Sequence, residues 1–319
     1  LPCTLELAQL RPPQLLGPAV GGLFKVGAVG LSAGSRTHPL MWGVLGHELG
    51  GHYCLTADRG DKLISELQDK IYEMLHERYK NSHLEVVAPL WRCWTEEAAA
   101  DVCAILNLGP SYAIGAIAFF TALETLSGYR TTSKLSHVYT NNSYDLHVIP
   151  VLVPHLIIGA IEGLKAFDPQ KKSHYAQLVT AIGKAYSPND DVIAFRHYSK
   201  VWNPRDTRLE PIDLPLTLPL DQMQAIAKEV GKFIATVSLD ELDRNALRDL
   251  AFAWNDNDEE NALTVRNTLM AGTPRPFATN GMRLTSRHLL AGGLLAVMEN
   301  HILYDKISTA LIDAFSGKL

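Results

Sequence analysis

The chain has 319 residues, 47% hydrophobic and 20% charged, with a formal net charge of -5 and a sequence pI near 6.2. This is ordinary globular composition, long enough for one large domain or two tightly joined ones. With no basic run longer than Lys171-Lys172, the charge balance argues against nucleic-acid and anionic-membrane partners.

Residues 1 to 37 are rich in proline and glycine, from Arg11-Pro12-Pro13 to Gly34-Ser35-Arg36-Thr37, and read as irregular with a strand at Leu23 to Leu31. The edge of such a strand suits an extended peptide, held by main-chain hydrogen bonds. No cationic start followed by an apolar stretch opens the chain, and residue 1 is leucine, so the N-terminus reads as trimmed or processed. A helix is then predicted from His38 or Pro39 to Leu55, carrying His47-Glu48-Leu49-Gly50-Gly51-His52. Two imidazoles with a carboxylate beside the first are what a hydrolytic zinc site uses: two nitrogen ligands and one general base. The histidines are five apart. On a regular helix five steps turn the second side chain roughly 140° from the first, against about 40° for four, so both cannot aim at one ion. A single wide π-type turn removes the conflict, and Gly50-Gly51 marks its place. Glycine is a poorer helix residue than alanine by about 0.8 to 1.0 kcal/mol, so a mid-helix pair asks for a local reason.

Asp61 to Lys80 has apolar Leu63, Ile64, Leu67, Ile71, Met74 and Leu75 at helical spacing and reads as a packing helix. It holds one Glu73-x-x-His76 pattern. A di-iron site needs two copies, so a solvated face is the better account. Trp91, Cys93 and Trp94 lead into Thr95-Glu96-Glu97-Ala98-Ala99-Ala100-Asp101-Val102, a helix with Thr95 as a candidate cap and an end near Leu106 to Gly109. Glu97 and Asp101 share a face, so one can bind metal while the other accepts the N–H of a ligand histidine. The plainer alternative for Glu96, Glu97 and Asp101 is an acidic first turn favoured by the helix dipole.

Taken together, the two motifs resemble dipeptidyl peptidase III, a gluzincin metallopeptidase family: a glutamate directly after the first of two histidines five apart, then two adjacent glutamates with an acid four beyond the second. The resemblance implies that His47, His52 and Glu97 bind zinc, that Glu48 is the general base, and that Glu96 and Asp101 stand behind the ligands. Asp101 takes the place of a glutamate in the family pattern. The match covers residues 47 to 101, and dipeptide-releasing specificity is not carried over from so short a stretch.

Pro110 opens an apolar helix expected over Ser111 to Leu126, followed by a polar loop, Tyr129 to Val148, with His137, Tyr139, Tyr144, Asp145 and His147. Attack on a peptide carbonyl puts negative charge on its oxygen, which a tyrosine or histidine donor can meet. Tyr144 and His155 are the candidates, the latter at about the resembled family's distance past the glutamate ligand. Helices are predicted at Val148 to Phe167, beginning after the prolines, and at Ser173 to Tyr186. Residues 201 to 220 read as a proline-punctuated connection, dividing a catalytic region (1–200) from a helical subdomain (201–319) that could equally be continuous with it. Beyond it, helices are expected at Asp221 to Thr236, Ser238 to Trp254, Asp258 to Met270 and Thr285 to Phe315. Arg283, Arg287 and His288 are candidates to anchor a substrate carboxylate, although arginine at a helix start is usually solvated.

Cys3, Cys54, Cys93 and Cys103 show no paired spacing; as free thiols they slightly favour a cytoplasmic, soluble protein, with Cys54 an outside candidate for a soft ligand. No apolar run is a plausible membrane span. The expectation is therefore a mainly α protein with a zincin-like core, few strands near the N-terminus, zinc as cofactor and a peptide as substrate. A non-catalytic helical metal-binding or scaffold protein, and a metal-dependent enzyme on a non-peptide substrate, stay open beside it.

Overall fold

The computed structural model describes residues 38–53, 55, 62–118, 148–184, 192–195, 200–202, 209–211, 216–272 and 284–316. The chain over these residues is mainly α-helical, and no helix among them is long and apolar enough to cross a membrane. The strand expected at 23–31, the loop with Tyr144, and the residues Cys3, Cys54 and Arg283 lie outside them.

The predicted metal-bearing helix is built of three windings in series. A 3-10 turn at Pro39–Gly43 leads into one α-turn, α1 (Val44–His47), and then into a π-helical turn at Glu48–Tyr53. Helix α2 (Lys62–Tyr79) buries Leu63, Ile64, Leu67, Ile71 and Leu75, the stripe that its spacing predicts, against α3 (Val87–Leu108). Glu73 on α2 is exposed and His76 stacks on Tyr72, with ring centroids 5.4 Å apart, as a solvated face requires.

Helix α3 begins two turns before Thr95. That residue is no cap: it is fully buried and its hydroxyl donates to the Trp91 carbonyl at 2.8 Å. Proline at position 89 falls in the first turn, where its missing N–H costs nothing, and the apolar residues before Thr95 extend the buried face. Gly109 ends the helix at φ 77°, a conformation that favours glycine, and a Cβ there would lie 2.6 Å from Cδ2 of the Trp254 indole. Residues 112–118 are helical again, the described part of the predicted 111–126 element.

Helix α4 (Val153–Gly163) follows a 3-10 turn at Pro150–Leu152, so Pro150 precedes it as expected while Pro154 lies in its first turn. Helix α5 (Pro169–Gly183) starts four residues earlier than predicted. Asp168 caps it, accepting from the N–H groups of Gln170 and Lys171 at 2.8 and 3.1 Å, with Pro169 in the first helical position. The predicted proline connection instead contains strands. β1 (Val192–Phe195) pairs antiparallel with β4 (Leu216–Pro219), and β2 (Lys200–Trp202) with β3 (Leu209–Pro211). Pro211 and Pro219 sit at strand ends of two-stranded ribbons, where a missing N–H interrupts no ladder.

Helix α6 (Leu220–Thr236) crosses α4 at close range, through Gly159 facing the Lys228 carbonyl and Gly231 facing that of Leu156. The helix predicted at Ser238 to Trp254 does not form. Asp243 and Arg244 take left-handed conformations, the Glu66 carboxylate on α2 accepts the N–H groups of Asp240 and Glu241, and Asp249 accepts that of Ala246. Acidic side chains here satisfy backbone donors that a helix would otherwise use, leaving two short 3-10 turns. Helix α7 (Asp256–Ala271) is capped by Asn255. The long predicted terminal helix is two: α8 (Ser286–Glu299) and α9 (Tyr304–Phe315), broken at Asn300, whose side chain accepts from the Ile302 N–H.

One apolar cluster takes in Leu67 of α2, Trp94 and Ile105 of α3, Ile157 of α4, Val230 of α6 and Ala291 of α8, drawing on both sides of the 201–220 stretch. A smaller one joins α7, α8 and α9 through Val265, Leu294 and Ile307. Trp42 meets Phe315 edge-on at 5.1 Å, which ties the 3-10 turn before His47 to α9.

Candidate metal centre

The π-turn resolves the five-residue spacing. His47 closes α1 and His52 lies near the end of the π-turn; both are buried, and their Nε2 atoms face each other at 3.1 Å. Glu97 of α3 completes a triangle, with Oε2 3.2 Å from His47 Nε2 and 3.5 Å from His52 Nε2. These three residues form the one group among the described residues whose ligand atoms could together hold a metal ion.

Each imidazole is fixed from behind. His47 Nδ1 meets Asp101 Oδ1 at 2.9 Å, and His52 Nδ1 meets Glu96 Oε1 at 3.1 Å. A carboxylate only accepts, so each Nδ1 donates to the acid behind it; Nε2 faces Glu97, as a donor while the ring is charged and as the free lone pair once that proton is lost. The dipole account of these acids fails on position: Glu96, Glu97 and Asp101 are in the middle of α3, far from its first turn.

The packing of the π-turn on α3 is why small residues stand there. A Cβ on Gly51 would sit 2.5 Å from the Ala100 Cβ, and one on Gly46 would meet Leu108 Cδ1 at the same distance. The run Ala98-Ala99-Ala100, wholly buried, offers the matching shallow face. Gly46 and Gly51 are therefore required less by winding than by helix contact.

Glu48 opens the π-turn directly after His47 and is 8% exposed. Glu96, Glu97 and Asp101 are each engaged with an imidazole; among the described residues, nothing holds the Glu48 carboxylate. A residue that the sequence reading missed is Tyr112. It is buried, and its hydroxyl donates to Asp101 Oδ1 at 2.8 Å. Burial, then the charges of Asp101, Glu48 and Glu97, hold its phenol well above the usual tyrosine range, so it remains a donor. A lone tyrosine in an apolar helix must find an acceptor, which was the signal available.

His155 is placed elsewhere in the fold. It is partly buried on α4, where burial and then Lys228 of α6 lower its pKa, and it is not in the ligand group. Arg287 and His288 are not free to anchor a substrate. Arg287 donates to the Phe252 carbonyl and Asp258, while His288 Nε2 contacts Asp258 at 2.9 Å and its Nδ1 accepts the Thr285 N–H. Both brace α8 against α7.

Without an ion, burial opposes charge on the two histidines, but the surrounding acids outweigh it. Asp101 and Glu97 push His47 up to about 10, and Glu96 and Glu97 push His52 up to about 9. Both lie above the unfolded value of about 6.5, so protonation adds stability that is complete below that pH and lost as pH rises through 9 to 10. The melting temperature of metal-free protein is expected to fall between pH 6.5 and 10, and to lose that slope when both histidines are replaced by glutamine. Divalent metal must displace this proton, so uptake at pH 7 is expected to release at least one proton per ion, measured with an indicator dye in weak buffer.

Compared with protein-family models, curated proteins and solved structures, the chain matches none.

Proposed function

We propose that the protein is a zinc-dependent hydrolase, a metallopeptidase with a zincin-like helical core. The observation that carries this is the triangle of His47 Nε2, His52 Nε2 and Glu97 Oε2, with edges of 3.1, 3.2 and 3.5 Å. Tetrahedral zinc with bonds near 2.0 to 2.1 Å separates neighbouring ligand atoms by about 3.3 Å. With each Nδ1 donating to a carboxylate behind it, loss of the Nε2 protons would leave two lone pairs and the Glu97 oxygen converging where one cation could take all three. Two nitrogens and one carboxylate are a hydrolytic set, whereas a closed structural site takes four protein ligands.

When bound, zinc would supply the Lewis acidity that polarises a carbonyl and acidifies water. The chain's own groups do the rest. Glu48, the one carboxylate of the four not held by an imidazole, accepts the proton of the attacking water and returns it to the leaving amine. Asp101 and Glu96 keep both rings in one tautomer. Tyr112, with its O–H committed to Asp101, is not the donor for the carbonyl oxygen. The assignment to peptides rests on the likeness of residues 47 to 101 to the gluzincin pattern.

The test is to strip the protein with chelator, reload it with zinc, and assay a mixed peptide library. One zinc per chain and chelator-sensitive cleavage are expected. Failure to take up metal would remove the reading altogether; metal uptake without cleavage would turn it toward a non-peptide substrate or a non-catalytic site. His52→Ala is expected to lose zinc by elemental analysis, since it removes one vertex and leaves Glu96 facing a gap.

A further inference from the structure

We infer that Tyr112 is a positioning residue of the metal centre, acting through Asp101 to fix the His47 ring; this rests on the metal-site reading above. Asp101 Oδ1 receives two donors, His47 Nδ1 at 2.9 Å and the Tyr112 hydroxyl at 2.8 Å, all three residues being buried. An aspartate is one carbon shorter than a glutamate, and its carboxylate can turn about a single further torsion. The Tyr112 hydroxyl fixes where that oxygen stands, so the imidazole that leans on it is fixed as well.

Tyr112 is in turn held by the rest of the fold. It follows the left-handed Gly109 by three residues, and its own N–H donates to the Gly109 carbonyl at 3.1 Å. Gly109 packs on the Trp254 indole, and the Trp254 N–H donates to the Leu106 carbonyl at 2.6 Å. Trp254 is 1% exposed, gives its indole N–H to Glu259, and lies under the Arg287 guanidinium at 5.4 Å. The buried network between α7 and α8 thereby reaches the metal centre along a continuous path: Trp254, the Gly109 turn, Tyr112, Asp101, His47.

Tyr112→Phe deletes only the hydroxyl. The expected result is an affinity for Zn²⁺ weaker by about 3- to 10-fold in chelator competition, less than the roughly 10- to 100-fold cost of losing a ligand's direct partner, with a shifted visible spectrum of the Co²⁺-loaded protein. In an Asp101→Ala background, which removes the shared acceptor, the same substitution is expected to change affinity less than twofold, because the path is already cut. A merely structural tyrosine would lower the melting temperature equally in both backgrounds and leave affinity and spectrum alone; that outcome overturns the inference. Should Tyr112→Phe fail to fold, 3-fluorotyrosine placed at position 112 keeps the shape and acidifies the hydroxyl, and an unchanged Co²⁺ spectrum then overturns it. If the wild-type protein binds no Zn²⁺ or Co²⁺, the metal-site reading falls and this inference with it. If wild type binds and the variants bind equally well, this inference alone is lost.

Discussion

Replacing Glu48 by glutamine is expected to lower turnover by about a hundred- to ten-thousand-fold, the range for removing a general base, while zinc stays bound. The reasoning is one of elimination among four carboxylates. Glu97 is a vertex of the ligand triangle, and Glu96 and Asp101 are held by His52 and His47. Glu48 has no such engagement among the described residues, yet adjoins His47 and lies close enough to Tyr112 for its charge to raise the phenol. Glutamine keeps the shape and some hydrogen bonding but cannot take a proton. It also removes one buried negative charge from a site that has several, so the metal-free variant is expected to melt no lower than wild type. Steady-state kcat, zinc content and melting temperature read the three effects separately. Full activity in Glu48→Gln would assign the proton transfer to another group, and loss of zinc would make Glu48 part of the metal's own support.

How far the sequence carried depended on whether the signal was local. The stripe of α2 and the five-residue histidine spacing are periodicities, and a π-turn is the simplest winding that brings both imidazoles to one side. The Asp168-Pro169 start of α5, an N-cap followed by proline, is an equally local signal and lies four residues before the predicted start at Ser173. Other features depend on distant partners. The 238–254 stretch has helix-start residues, but Glu66, some 170 residues away along the chain, takes the N–H groups of Asp240 and Glu241 and fixes a different path. Thr95 looks like a cap only if the apolar residues before it are read as a loop; buried between helices, they extend α3 instead. Tyr112 belongs to the same class, since nothing within a few residues of it shows that Asp101 lies at its hydroxyl. His47, His52, Glu96, Glu97 and Asp101 were visible as a set because metal chemistry constrains residue type and spacing together, whereas His155 was singled out by distance along the chain alone.

Gly51→Ala is expected to destabilise the protein and spoil the metal centre, while Gly50→Ala, one residue away, does neither. A Cβ at 51 would meet the Ala100 Cβ at 2.5 Å and the Ala100 backbone as well, against an ordinary contact of about 3.5 to 4.0 Å. The π-turn and α3 must separate by about an ångström, for an overpacking cost of about 1 to 3 kcal/mol. The same separation carries His52 away from Glu96 and Glu97, and metal–ligand bonds tolerate only about 0.2 Å. At 50, by contrast, the nearest atom to an added Cβ is Asn107 Nδ2 at 3.1 Å, the far end of a side chain that can swing aside. The helix preference of alanine over glycine, about 0.8 to 1.0 kcal/mol, then makes Gly50→Ala neutral or stabilising. The comparison separates two explanations of the glycine pair. If both were present only to loosen the winding, the two substitutions would cost alike; if helix contact governs, they differ in sign, and zinc is lost from one alone. Thermal melts with and without zinc, read beside metal content, decide between them.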